Sequence, residues 1–379
     1  MSHFLPTRRA LLAGAAATTA GLALRPELSL AASASTPRRS PNEDPVRLFS
    51  NENRYGPCEG ALRAMRESLH LASRYASLDS IDTLKRLIAE QEGLAPDHVV
   101  LTSGAFEALT LIANKFGTGG GGVVCSERVY DVLPVYAAQA GGKVDRVPLD
   151  ASQTHDLDAM EARVGESTRL VAVCNPSNPT GTIVDAAKLR AFCDKVSAKA
   201  TVLVDEVYIH YLESPASQSM VDLVRAGKNV LITRSFSKIY GLAGMRVGYA
   251  LGQPALIKQL HLMRASLLSS VSTVAAIASL QDPAFVTRMR KLNNEARKVT
   301  TAALDDVGLK YVPGHANFLW IPLSAKQLDL PARFAPHGIH LRANPREAIA
   351  ADVSALRLTL GTVEEMRTFG TLLRSMLKS

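Results

Sequence analysis

The sequence offers no metal-binding pattern. Its four cysteines, Cys58, Cys125, Cys174 and Cys193, include no C-x-x-C pair, and no histidine lies at ligand spacing from them, so no metal is expected. Lysine and arginine form no dense block. Their excess over aspartate and glutamate, 43 against 35, leaves +8 on 379 residues, which suits anionic small molecules and does not mark a nucleic-acid reader. No internal repeat or low-complexity linker interrupts the chain. A composition of 47% hydrophobic and 21% charged residues excludes a disordered, collagenous or coiled-coil protein. The uncharged run at residues 10–24 is fifteen residues long, short of the roughly twenty needed to cross a bilayer, so no stable membrane anchor is expected.

What that run does have is a signal-like context. Thr7-Arg8-Arg9-Ala10-Leu11-Leu12 leads into it, and Ala32-Ser33-Ala34 offers a small-residue cleavage site. A basic start, a short apolar middle and an A-x-A end read as a secretory signal. The adjacent arginines resemble the twin-arginine signal that exports folded proteins across the bacterial inner membrane. Residues 1–34 are therefore read as an export signal handled by export machinery, with a periplasmic or secreted mature chain. Removing them takes away Arg8, Arg9, Arg25 and Glu27 and leaves +6 on 345 residues. A protein folded before export does not depend on disulfides, so the four cysteines are expected as buried free thiols.

From about residue 97 short apolar runs alternate with helical periods. The runs at 99–102, 123–125, 144–149, 170–174, 202–204, 230–233 and 247–251 are continuous Val/Leu/Ile stretches, the pattern of strands covered on both faces. Strand–helix alternation reads as α/β: a mostly parallel seven-stranded-type sheet with helices on both faces. A long helical region over 254–307 precedes strand-like segments at 316–321, 339–342 and 356–360 and a helix from about Thr362. This reads as a smaller C-terminal α+β domain. The expected division is 35–73 as an arm packing on the small domain, 74–265 as the large domain and 266–379 as the small one.

Polar motifs follow the predicted strands. NPSNPTG (175–181) follows one, Asp205 to Tyr208 (DEVY) ends the next, and Ser235-Phe236-Ser237-Lys238 ends the one after, with Arg246 eight residues beyond Lys238. Ser103-Gly104-Ala105 closes the first strand and opens a helix. Ligands of open α/β sheets bind outside the carboxyl ends of strands, so these residues should converge. A lysine buried there loses stabilisation of its ammonium form and becomes an amine nucleophile. Two serines, an arginine and a helix N-terminus make a seat for a phosphate dianion. A buried aspartate can hold a ring nitrogen protonated. Together these needs describe pyridoxal 5'-phosphate. The glycines at 119–122 follow a helix and precede a strand, the wrong order for a dinucleotide fingerprint, and read as a connection.

The motifs NPSNPTG, DEVY, SFSK, GLAGMRVGY and LRLTLGT, in this order, resemble those of fold-type I pyridoxal-phosphate aminotransferases of class I/II, and most of all the histidinol-phosphate aminotransferases, over about residues 46–378. The resemblance implies that Lys238 bonds the cofactor, that Asp205 pairs with its ring nitrogen, and that Tyr208 and Asn178 bond its ring hydroxyl. Tyr130 would stack on the ring, and Gly104, Ala105, Ser235, Ser237 and Arg246 would cradle the phosphate. Tyr75 would reach the cofactor phosphate of a second subunit, which implies a homodimer. Arg357 would grip the substrate carboxylate, Arg342 a substrate phosphate, and Tyr55 would close over the substrate. The implied activity moves an amino group between an amino acid, or a related amine such as histidinol phosphate, and a 2-oxo acid. Rival readings are a decarboxylase or lyase on the same cofactor and, more distantly, a non-catalytic exported binding protein. Two departures bear on substrate: Phe106 stands where the histidinol-phosphate enzymes carry an acid, and Leu133 replaces a tyrosine. Both are expected to make the site more apolar.

Overall fold

A computed structural model describes residues 45–343 and 354–377 of the chain. The expected export signal lies outside these residues. In chain order the strands are β1 (Val46–Arg47), β2 (Val99–Thr102), β3 (Gly122–Ser126), β4 (Lys143–Val147), β5 (Thr168–Cys174), β6 (Thr201–Asp205), β7 (Val230–Ser235), β8 (Gly248–Leu251), β9 (Phe318–Pro322), β10 (Ile339–His340) and β11 (Ala355–Thr359). Seven of them form the central sheet, in the order β2-β8-β7-β6-β5-β3-β4. The sheet is parallel from β4 across to β7, and β8 runs antiparallel to both its neighbours. All seven predicted strands are present, with ends shifted by a residue or two.

The unbroken apolar runs have a simple cause. Successive side chains of a strand point to opposite faces, and both faces of this sheet are covered. Val171, Val173, Val202, Val204 and Ile232 enter one core. Their immediate neighbours Leu170, Ala172, Leu203 and Leu231 enter the other. Cys58, Cys125, Cys174 and Cys193 are buried free thiols. A third core forms around the antiparallel β9–β11 pair, where Leu319, Ile321, Leu356 and Leu358 meet the final helix Val363–Leu377. In it Phe334 and Phe369 stack with ring centroids 4.8 Å apart.

The long helical region expected after β8 is present and is subdivided. It is three helices, Pro254–Met263, Ser270–Leu280 and Pro283–Asp306. Pro283 cannot continue a helix, and Asp282 caps the new one by accepting from the Phe285 N–H at 2.9 Å. Helix Ser270–Leu280, expected in the small domain, instead buries Ala275 and Ala276 in a core of the central sheet. The arm also divides its loyalty. Leu48 enters the third core and β1 pairs with β10, whereas Cys58 and Ala61 enter the sheet core. Helix Pro283–Asp306 joins the two regions, with Phe285 and Met289 at one end and Ala296 and Leu304 at the other.

One buried ion network anchors the strand ends. The Arg234 guanidinium donates to Glu92 at 2.5 Å and to Glu206 at 2.8 and 3.1 Å. All three residues are buried. Glu206 follows Asp205, and Arg234 precedes Ser235, so the network lies on the reverse side of the residues that face the site. Removing the guanidinium leaves two buried carboxylates without their cation, which costs about 3–5 kcal/mol. Arg234→Met is therefore expected to lower unfolding free energy by about that amount in a urea titration; a midpoint within error of the parent would show that the network carries no such burden.

Candidate active site

A cavity of about 310 Å³ opens at the carboxyl ends of β5, β6 and β7. Of the fourteen site residues predicted, eleven line it: Ala105, Tyr130, Asn178, Asp205, Tyr208, Ser235, Ser237, Lys238, Arg246, Arg342 and Arg357. Gly104, the residue before Ala105, packs against the Arg246 guanidinium.

Asp205 ends β6 and is buried. Its Oδ1 accepts from the Thr233 hydroxyl at 2.7 Å, and its Oδ2 lies 3.8 Å from the Cys174 thiol. Burial raises its carboxyl to about 6, against the pull of Thr233, a backbone N–H and Cys174. Lys238 sits in the loop after β7. Its Nζ donates to the Asn51 carbonyl at 3.4 Å and lies 5.4 Å from the Tyr208 ring centroid. Burial lowers its ammonium to about 8, and Arg357 and Arg246 push the same way, while Asp205 and Glu52 oppose. A lysine in this state is partly neutral near pH 8 and nucleophilic.

An anion seat lies at one end of the cavity. β2 turns through Gly104, at φ 82°, into helix Ala105–Gly117, whose first N–H groups are unpaired by the helix itself. Gly248 pairs in register with both Thr102 and Ser235 and draws the two loops together. Arg246, held at φ 53°, donates to the Ser237 hydroxyl at 3.2 Å, to Ala243 O at 2.9 Å and to Ser103 O at 3.4 Å. The φ of 82° at Gly104 is one that favours glycine, and a Cβ there would also displace the Arg246 guanidinium, 2.2 Å away. At the other end Arg357 donates to Asn178 Oδ1 at 2.7 Å and to Phe49 O at 3.2 Å, and the Arg342 guanidinium lies 4.8 Å from the Phe49 ring centroid.

Two expectations resolve differently. The Tyr55 ring does not line the cavity; its hydroxyl accepts from the Val363 N–H at 3.0 Å, satisfying one of the open donors at the start of the last helix. Tyr75, expected to serve a second subunit, is 87% exposed, bridges Ser269 and does not line this chain's own cavity. Leu133 is buried in a sheet core and does not line the cavity, whereas Phe106 does. The apolar change at the site thus comes from Phe106 alone. Sequence reasoning passed over Asn51, Phe49, Glu52, Thr233 and Cys174, which line the cavity or touch Asp205. Asn51 was within reach, standing in the same NENRYGP motif as Tyr55.

The family model for aminotransferases of class I and II matches residues 43–370. The chain belongs to this family. It is a pyridoxal-phosphate-dependent transaminase, exchanging an amino group between amino acid and oxo acid substrates. It is 34% identical over 337 residues to a histidinol-phosphate aminotransferase of Moorella thermoacetica, covering 88% of this chain and 86% of the relative. It is likewise 34% identical over 314 residues to an aromatic amino acid aminotransferase of Mycolicibacterium paratuberculosis, covering 82% and 88%. The structure is similar to that of the histidinol-phosphate aminotransferase of Sinorhizobium meliloti in complex with pyridoxal-5'-phosphate, with a TM-score of 0.78, 25% identity, and 89% and 93% coverage.

The transaminase cavity fits that cofactor on its own terms. The seat formed by Gly104, Ser235, Ser237 and Arg246 suits a phosphate, Asp205 suits a protonated ring nitrogen, and Lys238 suits the carbonyl carbon. Because the free protein's Lys238 titrates near 8, loading of pyridoxal phosphate into the cofactor-free transaminase requires the neutral amine. The loading rate is expected to climb about tenfold per pH unit below pH 8 and to level off above it. Stopped-flow absorbance across pH 6–10 (roughly two units each side) checks this; a rate flat through pH 8 would contradict it.

Proposed function

We propose that this transaminase takes as donor an α-amino acid with a flat, largely apolar side chain. The observation that carries the reading is that two phenyl rings, Phe106 and Phe49, line the same cavity as Arg357. Arg357 would bind the donor carboxylate bidentately, in the way a guanidinium fork suits. When bound, pyridoxal phosphate supplies an electron sink for the bond that breaks at the donor's α-carbon. Asp205, ionised above about 6, would hold the proton on the ring nitrogen. The Lys238 Nζ, lowered to about 8, is the base within the cavity suited to take the α-proton and return it.

A second reading, histidinol phosphate as donor, rests on Arg342, a second cation beside the Phe49 ring, and on the name of the Moorella relative. Steady-state assays with 2-oxoglutarate as acceptor separate the two. Phenylalanine and tyrosine are expected to exceed aspartate in kcat/KM by about a hundredfold, the scale on which apolar pockets discriminate. Phe106→Glu is expected to remove about tenfold of that preference. A donor panel led by aspartate would sink the proposal. One led by histidinol phosphate, with Arg342→Ala selectively abolishing it, would establish the second reading.

Two further features belong to the proposal. A homodimer is supported by exposed apolar side chains that converge on one region. Leu262, Met263 and Leu267 are exposed in the segment whose Ser266 bonds Ser103 and whose Ser269 bridges Tyr75. Tyr75 and Leu78, also exposed, extend the same patch beside the phosphate seat, where a second subunit would receive Tyr75. Export of the folded holoenzyme is supported by Arg8-Arg9, the short apolar run and Ala32-Ser33-Ala34. A cofactor acquired in the cytosol has to travel inside a folded protein. Light scattering should give a dimer, and the double substitution Arg8→Lys, Arg9→Lys should retain the protein in the cytosol. A monomer removes the first claim and undiminished export removes the second.

A further inference from the structure

Three buried residues from three separate parts of the chain are bonded in series: Thr359 on β11, Asn51 in the arm and Tyr208 after β6. They are 0%, 2% and 2% exposed. The Asn51 backbone N–H donates to Thr359 Oγ1 at 2.9 Å, and that hydroxyl lies 3.1 Å from Asn51 Oδ1. A threonine hydroxyl has one hydrogen. The N–H fills only one of its lone pairs, but among the described residues Oδ1 is the one acceptor the hydroxyl meets, so its hydrogen goes to Oδ1. This settles which way the amide faces, and Asn51 Nδ2 donates to the Tyr208 hydroxyl oxygen at 3.0 Å. Tyr208 is thereby an acceptor toward Asn51, and its own hydrogen has to point elsewhere. Its ring edge is backed by Phe318, with centroids 5.2 Å apart, and its other surroundings are the cavity it lines.

We propose that Thr359 and Asn51 are positioning residues that fix the Tyr208 hydroxyl as a hydrogen-bond donor into the cofactor cavity. The direction of the chain runs from Thr359 to Asn51 to Tyr208, and reversing it would leave the buried Thr359 hydroxyl hydrogen without an acceptor. Away from water, no competing partner scrambles it. Asn51 adopts φ 54°, a left-handed conformation that asparagine tolerates better than other non-glycine residues. That turn allows its N–H to reach Thr359 while its carbonyl accepts from Lys238. Arg357 on β11, Asp205 on β6, the Cys174 thiol on β5 and Lys238 also face Tyr208. They act on it through charge, whereas Asn51 is bonded to its oxygen. Arg357 and Thr359 are two residues apart on β11 and share a face. The strand that would grip the donor also sets the tyrosine's hydrogen.

The test uses purified holoenzyme without any amino donor, so it stands or falls independently of the donor class proposed above. Two quantities are read: the pH at which the absorption band of bound pyridoxal phosphate shifts, and the dissociation constant of the cofactor. Thr359→Val keeps the shape and deletes the hydroxyl. Asn51→Asp keeps the shape but can only accept, so it claims the Tyr208 hydrogen for itself. An oxygen deprived of a hydrogen-bond donor holds its proton more tightly. Both variants are therefore expected to raise the spectral midpoint by about half a pH unit or more and to weaken cofactor binding roughly two- to tenfold. Thr359→Ser, which restores the hydroxyl, should match the parent. Folded Thr359→Val and Asn51→Asp proteins with the parent midpoint and affinity would overturn the proposal. If Thr359→Val fails to fold, Asn51→Asp alone decides it.

Discussion

The site depends on an imbalance of charge gathered around one cavity. Lys238, Arg246, Arg342 and Arg357 face one cavity with Asp205 and Glu52, and Glu52 is already paired with Arg47 at 3.4 Å. Crowding cations around a buried lysine is unfavourable, and it shows in the lowered Lys238 ammonium, driven by burial first and then by Arg357 and Arg246. A phosphate dianion at one end and a carboxylate at the other relieve what the protein alone leaves uncompensated. The cavity therefore favours anionic ligands by the same electrostatics that make Lys238 reactive.

Such an arrangement survives only on a stiff support. The alternation of the sheet provides it. Cys174, Asp205, Thr233 and Ser235 lie on one face at the strand ends, and Thr233 and Asp205 are register partners. Their neighbours Glu206 and Arg234 fall on the other face, where the pair and Glu92 form a network bonded on every arm. Each strand end thus carries one side chain into the cavity and clamps the next behind it. Asp205 can be buried and still hold its position because residue 206 is tied down.

The sheet was legible in the sequence because its physical demand is strong and local. A strand covered on both faces has to be apolar throughout, and a strand end carrying Asp205 or Lys238 announces itself by the polar break. What was less legible depended on rotation or backbone twist. Leu133 sits on a helix, and a rotation about the helix axis decides whether it meets the cavity or the core. Tyr55 has the same motif spacing whether its ring covers a substrate or its hydroxyl caps a helix. The place of Asn51 follows from a left-handed φ, which residue type permits but does not dictate. The packing of helix Ser270–Leu280 over the central sheet is a long-range choice that its own periodicity could not express.

The arm gathers these pieces into one unit. The Phe49 carbonyl accepts from Arg357, Asn51 joins Thr359 to Tyr208 and Lys238, and Asn53 donates to Ile239 O at 2.8 Å, one residue past the lysine. Arg54 pairs with Glu365 at 2.8 Å, and Tyr55 accepts from Val363 at the head of the last helix. Residues 49–55 therefore touch the C-terminal core and the lysine loop in alternation. A displacement of β11 cannot occur without either breaking this set or carrying the arm along. The arginine that would hold a donor, the tyrosine that would face the cofactor and the lysine that would move the proton share one short segment of backbone, which would give binding at the carboxylate end a direct mechanical route to the reacting end.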